Sequence, residues 1–340
     1  FVPELPPGIL SLPDLLTALP DFHGDRLGSG AENQPAAGGD PLIDVNALGY
    51  VYLRGTPVEQ RALHNVSLKV PAGQAHGLAG ITGSGKSTLL QHLNGLLRPQ
   101  EGRVRVGKFD LNDLKLDRRD VVREVGLVFQ NPEVQFFEYY VGDEIAFGPR
   151  QLKIAEPGNP LLADRVREAM EQVGLDFEGF KDRPLFTLSG GERRKVALAS
   201  TLALKPSVLL LDEPTAGLDP RSRRDLLSLL KEMQSSGMTI LLSSHQMEDM
   251  AVLTQAVTVI EKGSVVFSAS TEEVFADPPR VRSFGLDLPA AAQVADGLRK
   301  KGWPVSTGVL TTKGLANWVS ALQEGEQPES RGAAPAQEER

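Results

Sequence analysis

Apolar and polar residues alternate along IDVNALGYVYL, directly after Leu42, and along ALHNVSLKV at 62–70. A period of two over such runs predicts half-buried strands. HGLAG at 76–80 is a short apolar strand that runs into a Gly-rich loop, and STLLQHLNGLL at 87–97 carries its leucines at helical spacing. EGRVRVGKFDL at 101–111 predicts a return strand. Between 133 and 187, VGDEIAFG and ADRVREAMEQVGL have helical patterns, which makes this stretch a helical insertion into an α/β core. The core resumes with a helix from about Gly191, the strand SVLLL at 207–211, a helix at 221–236 and the strand TILLSS at 239–244. AVTVIEKGSVVF at 256–267 predicts a hairpin turning at Lys262-Gly263. Residues 279–323 form a small helical appendage, in which Leu315, Trp318, Val319 and Leu322 mark one apolar face. Two stretches lack periodicity. Residues 20–41, rich in Gly, Pro and small polar residues, are expected to be a linker, and 324–340 a disordered polar tail.

The 340 residues suffice for one large or two modest domains with a full core. A net charge of −8, from 36 basic and 44 acidic residues, argues against a nucleic-acid partner. There is no cysteine, which excludes disulfides and thiolate metal sites. No apolar run approaches the roughly 18 residues of a spanning helix, so any work at a membrane is expected from outside the bilayer. The chain opens on Phe1 rather than Met, as a fragment or processed product would.

Chemistry enters at 80–87, where GITGSGKS fits G-x-x-x-x-G-K-[ST] between a strand and a helix. Gly80, Gly83, Ser84 and Gly85 would let backbone N–H groups converge on phosphate oxygens, and the following helix, opening with Ser87 and Thr88, turns its positive end to the same anion. Lys86 is expected to bridge the β- and γ-phosphates, and Ser87 to ligate Mg²⁺. A Gly-rich turn without a ligand is the plain alternative. Asp212 ends an apolar strand, where a buried carboxylate is costly unless a cation compensates it. It is expected to hold Mg²⁺, with Glu213 one residue further out as general base. A strand-end acid pair capping a turn is the plain alternative there.

With LSGGE at 188–192 between these two elements, the chain resembles the ATP-binding-cassette (ABC) ATPases over 42–270. The family order is complete: P-loop at 80–87, glutamine loop at Gln130, LSGGE, the acid-ended strand, AGLD at 216–219 and His245 after a strand. The resemblance implies an α/β P-loop NTPase core with an N-terminal antiparallel β subdomain, a helical insertion at 133–187 and a C-terminal helical appendage. It implies that Gln130 senses metal and γ-phosphate, and that Ser189, Gly190 and Gly191 serve the ATP of a second cassette. Asp219 would lie at the seam between cassettes, and His245 would hold Glu213 and the attacking water. Tyr52 matches the adenine-stacking aromatic, with Tyr50 as the other choice. Glu192 stands where many members have Gln.

FQNPEVQFFEYYVGDEIAFGP at 129–149 resembles the ATPase subunits of energy-coupling-factor transporters, importers of vitamins and metal ions. Phe129, Gln130, Asn131, Pro132, Gln135, Phe137 and Ala146-Phe147-Gly148-Pro149 carry that match, while Phe136 stands where Leu is usual. The loop RGTPVEQRALHNVSL at 54–68 and the appendage at 285–319 agree, apart from Lys313-Gly314 where acidic residues are usual, and the resemblance implies that the appendage at 279–323 helps hold two ATPases together as a dimer. The resemblance implies an ATPase at the cytoplasmic face of the membrane. Its partners would be a second cassette, an integral transmembrane subunit and a substrate-binding membrane subunit. GILSLPDLL at 8–16 also aligns with GVLTTKGLA at 308–316, each with Ser or Thr placed to cap a helix. Residues 1–19 are therefore read either as the end of a preceding cassette, joined through 20–41, or as an unrelated extension. Non-transport cassettes of the DNA-repair type carry a long coiled coil between P-loop and signature, and no heptads occur here. Ribosome-associated paired cassettes and a scaffold without turnover are the remaining rivals.

Overall fold

The computed structural model describes residues 41–323. They fall into two compact units: one comprises residues 41–245 and 253–268, and the other residues 246–252 and 269–323. The N-terminal helix and linker expected before residue 41, and the tail from Glu324, lie outside the described residues.

In the larger unit, β1 (Ile43–Tyr52), β2 (Gln60–Val70), β4 (Glu101–Val106) and β5 (Phe109–Asp110) form an antiparallel sheet of order β2-β1-β4-β5. The single return strand expected at 101–111 is two short ones, because Gly107 (φ 53°) turns the chain between them. The second sheet has the order β10-β9-β3-β8-β7-β6. Its strands are β3 (Ala75–Ala79), β6 (Val125–Val128), β7 (Val208–Asp212), β8 (Thr239–Ser244), β9 (Ala256–Glu261) and β10 (Ser264–Ser270). Strands β3, β7 and β8 are buried at every position, as strands covered on both faces must be, which is why they read as continuous apolar runs. Strand β6 escaped the sequence pattern because VGLV is only four residues long, with a glycine inside. The β9–β10 hairpin turns at Lys262 (φ 47°) and Gly263 (φ 80°), the left-handed pair that a tight hairpin needs.

Helix α1 (Lys86–Leu93) packs on β6 and β7 on one side and on β2 and β4 on the other. Its Leu89, Leu90 and Leu93 join Leu48, Leu63, Val104 and Leu210 in the main core. It ends four residues earlier than the leucine pattern indicates, because Gly95 (φ 78°) turns the chain away. Helix α2 (Arg118–Glu124) is capped by Asp117, whose carboxylate accepts from the Arg119 N–H. The helical insertion comprises α3 (Val141–Gln151), α4 (Pro160–Gln172) and α5 (Phe177–Phe180), with α3 and α4 packed on α6 (Gly190–Leu202). Helix α7 (Pro220–Ser235) follows β7.

The smaller unit holds α8 (Met247–Leu253), α9 (Thr271–Phe275), α10 (Pro278–Ser283), α11 (Ala290–Lys300) and α12 (Thr312–Gln323). Thr311 precedes α12 and accepts from the Gly314 N–H at 3.1 Å. The expected apolar face packs inward: Trp318 is buried and Leu315, Val319 and Leu322 are half-buried against Ala295, Leu298 and Val305.

Candidate nucleotide site

Strand order builds the site. Strands β3, β8, β7 and β6 are parallel neighbours, so their carboxyl ends reach one edge of the sheet. The P-loop leaves β3, Asp212-Glu213 end β7, His245 follows β8 and Gln130 follows β6. Residues far apart in the chain are thereby collected at one edge, where ligands of open α/β sheets bind.

The loop is shaped for close packing and an anion. A Cβ on Gly80 would stand 2.3 Å from the Ile260 carbonyl oxygen, and one on Gly85 (φ 108°) would stand 2.9 Å from that of Ala62. Gly83 (φ 80°) has nothing within 4 Å of its would-be Cβ, so the loop is open on that side. The Ser84 hydroxyl is buried without a hydrogen-bond partner. Lys86 is only 5% exposed, and its ammonium donates to the carbonyls of Gly80 (2.7 Å) and Ile81 (3.1 Å). Burial pushes the Lys86 pKa down, and the charges of Glu213 and Asp212 push it back up. Its Nζ lies 3.9 Å from Glu213 Oε1. A buried cation, an unpartnered hydroxyl and an open glycine beside the first turn of α1 fit a bound phosphate chain. Ser87 is exposed in that turn. Thr88 Oγ1 stands 3.3 Å from the Tyr52 hydroxyl, so Tyr52 borders the P-loop helix. Tyr50 instead packs edge-on between Tyr52 and His92.

The acidic pair is held from β8. Ser243 donates through its hydroxyl to Asp212 Oδ1 (2.5 Å), and the same Oγ accepts from the Glu213 N–H (3.1 Å). Glu213 adopts φ 47°, a left-handed conformation that costs a non-glycine residue about 1–2 kcal/mol and is typical of functional turns. Its Oε2 is 2.8 Å from His245 Nδ1. A carboxylate only accepts, so Nδ1 carries the proton in this contact.

The LSGGE residues form a different cluster. Ser189 caps α6 in a reciprocal box: the Glu192 N–H donates to Ser189 Oγ (3.3 Å), and the Ser189 N–H donates to Glu192 Oε2 (2.7 Å). Glu and Gln serve that box equally, which accounts for the acid at position 192. Ser189 and Gly190 are exposed. A Cβ on Gly191 would meet Ser222 Oγ at 3.0 Å, and that hydroxyl donates to Asp219 Oδ2 at 2.6 Å. Signature and Asp219 thus adjoin through Ser222. Ser189, Gly191 and Ser222 line a cavity of about 580 Å³ with Leu218 and Asp225, and none of residues 80–88 contributes to its wall. Gln130 is exposed at the end of β6, and its neighbour Phe129 is bonded to α6 through Arg194.

Sequence reasoning missed Ser243 and Arg194. Two serines closing an otherwise apolar strand just before His245 were a readable signal for the first. Arg194 hides in the run Arg193-Arg194-Lys195; only its spacing to Ala197, Leu198 and Thr201 on the buried face of α6 marks it.

Residues 63–216 match the family described as ABC transporter. The energy-coupling factor transporter ATP-binding protein EcfA2 of Symbiobacterium thermophilum is 48% identical over 271 residues, 80% of this chain and 92% of that protein. Its namesake from Clostridioides difficile is 45% identical, over 79% of this chain and 93% of that one. Among solved structures, cbiO1 of Clostridium perfringens, described as part of the ABC transporter complex cbiONQ, superposes with TM-score 0.62 at 33% identity. That match covers 76% of this chain and all of that one. With the P-loop, the acid-ended strand and the signature in these positions, and relatives this similar along nearly their whole length, the chain belongs to the ABC ATPases, in the branch of energy-coupling-factor transporter ATP-binding proteins.

Proposed function

We propose that this ATPase works as one of two cassettes facing head to tail, each supplying Ser189, Gly190 and Gly191, or their counterparts, to the ATP held by the other's P-loop. The observation that carries this is the separation of the two clusters. Lys86, Glu213 and His245 adjoin at the sheet edge, whereas Ser189 and Gly191 line another cavity with Ser222, which donates to Asp219. An exposed signature that shares no cavity with its own P-loop is complete only against a partner.

In this reading Lys86, with the N–H groups of the Gly80–Thr88 loop, binds the phosphates, and Tyr52 receives the adenine. Mg²⁺, held by Ser87, Asp212 and Gln130, would neutralise charge on the γ-phosphate. Glu213 takes the proton of the attacking water, and His245 fixes its carboxylate through Nδ1–H. Loss of the γ-phosphate removes a bridge bound from both sides, and the pair opens.

The partner moved by that opening is a membrane subunit docked on the helical insertion. Phe137 (71% exposed) stacks on Phe147, and Tyr139 packs against Phe186 (65% exposed). Exposed aromatics in one patch mark an interaction surface. Buried Glu144 anchors the segment by accepting from the N–H groups of Phe137 (2.8 Å) and Glu138 (2.9 Å). Among the described residues no helix is long and apolar enough to cross a membrane. In this reading the chain acts peripherally, on the cytoplasmic face, through separate integral and substrate-binding subunits. Affinity purification of the full chain from its own membranes tests this. Integral subunits should copurify with wild type and be lost with Phe137→Ala and Phe186→Ala; equal recovery with both would refute the docking surface.

A further inference from the structure

We infer that Arg194 is a positioning residue that fastens the signature helix α6 to two hydrolytic loops of its own chain, the peptide before Gln130 and the turn that begins at Glu213. The inference rests on the proposed roles of Gln130 and Glu213. Arg194 sits inside α6, five residues after Ser189, and is only 5% exposed. Its Nη1 donates to the Phe129 carbonyl (3.1 Å) and its Nη2 to the Ala216 carbonyl (3.2 Å). Ala216 in turn donates its N–H to the Glu213 carbonyl (3.1 Å), closing the turn that carries the base. Phe129 is gripped from its other side too: its N–H donates to Gln135 Oε1 (3.2 Å), while Gln135 Nε2 donates to the Ala197 carbonyl of α6 (3.4 Å).

Arg194 forms no ion pair among the described residues, and its Nε is buried without a partner. Burying a guanidinium against carbonyls alone is expensive, and an apolar residue would fill a core position on α6 at lower cost. What the guanidinium alone provides is a rigid fork reaching two carbonyls in different loops. The loops concerned carry Gln130 and Glu213, which serve this chain's ATP, and the helix carries Ser189, which serves the partner's. One side chain thus links the state of the resident site to the position of the signature offered in trans. A lysine keeps the charge but replaces the fork with a single point donor, so it does not substitute.

The test uses the full chain in its assembled, hydrolysing form. Wild type, Arg194→Lys, Arg194→Met and Glu213→Gln are compared for thermal midpoint, MgATP affinity and kcat. Both Arg194 variants should hold ATP affinity within about twofold and lose about tenfold in kcat, the scale of one lost charge-assisted hydrogen bond. Should Arg194→Met fail to fold, Arg194→Lys alone decides. Wild-type kcat in Arg194→Lys, or kcat and ATP affinity falling together with the thermal midpoint, would overturn the inference. If Glu213→Gln keeps its turnover, the underlying reading of the base fails instead, whatever Arg194 does.

Discussion

Glu213 and His245 meet at 2.8 Å between Oε2 and Nδ1, across the ends of two strands separated by 32 positions in the chain. In the proposed mechanism the pair acts as a unit, because the imidazole holds in place the carboxylate that would accept the proton. Glu213→Gln and His245→Ala are each expected to lower kcat by about 10² or more, with ATP binding retained. The double variant should be little slower than either single one, since each already disables the pair. Steady-state turnover of the three variants, with nucleotide affinity measured separately, checks this.

His76 gives the fold an acid limit. It is buried in β3, with Nε2 2.8 Å from Thr258 Oγ1, and burial lowers its pKa from 6.5 to about 4. Below pH 6.5 the unfolded chain takes up a proton that the folded chain refuses. Stability is therefore present above pH 6.5 and falls from there to about pH 4, by up to about 1.4 kcal/mol per pH unit. Denaturant titrations of wild type and His76→Gln across pH 4–7 should show the variant losing less stability over that window.

Glu192 combines a structural cap with an acid titration. Its carboxylate accepts the Ser189 N–H and pairs with Arg183, and these contacts lower its pKa, the Ser189 bond most of all. Its contribution is present above the ordinary value of 4.5 and is lost as pH falls through the lowered one. Glu192→Gln keeps the reciprocal cap and should change stability by less than about 0.5 kcal/mol at neutral pH, whereas Glu192→Ala should cost about 1 kcal/mol. Hydrogen exchange at the first turn of α6 localises the effect.

The docking patch predicts a separation of properties. Phe137 and Phe186 are exposed, so replacing them with Ala should leave the thermal midpoint within a few degrees. Buried against a partner, each is the kind of aromatic whose truncation costs more than about 1 kcal/mol of binding. Titrating the purified membrane subunit into each variant gives the expected affinity loss of about tenfold.

Much of the fold was legible because its buried strands leave a plain trace. VLLLD and TILLSS are apolar runs ended by polar residues of the candidate site, and their boundaries held to within a residue. Where periodicity was short the reading failed: VGLV in β6 and RRDVVRE in α2 lack a full repeat, and only pairing with β7 and the Asp117 cap define them. The motif positions gave the candidate site residues, and the resemblance implied their division between two cassettes, but not the contacts that hold each cluster together. That Ser189 and Gly191 adjoin Asp219 depends on Ser222, an unremarkable serine in α7. Likewise Ser243 and Arg194 act through backbone carbonyls and N–H groups, which leave no trace in residue identity.

The central claim is that Ser189 serves an ATP bound elsewhere while Lys86 serves its own. Nucleotide affinity of the isolated chain, measured for wild type, Lys86→Ala and Ser189→Arg, tests it most directly. Lys86→Ala should weaken ATP binding by at least about tenfold, and Ser189→Arg should leave it within about twofold while abolishing turnover in the assembled ATPase. An isolated Ser189→Arg chain that loses ATP affinity as Lys86→Ala does would contradict the account.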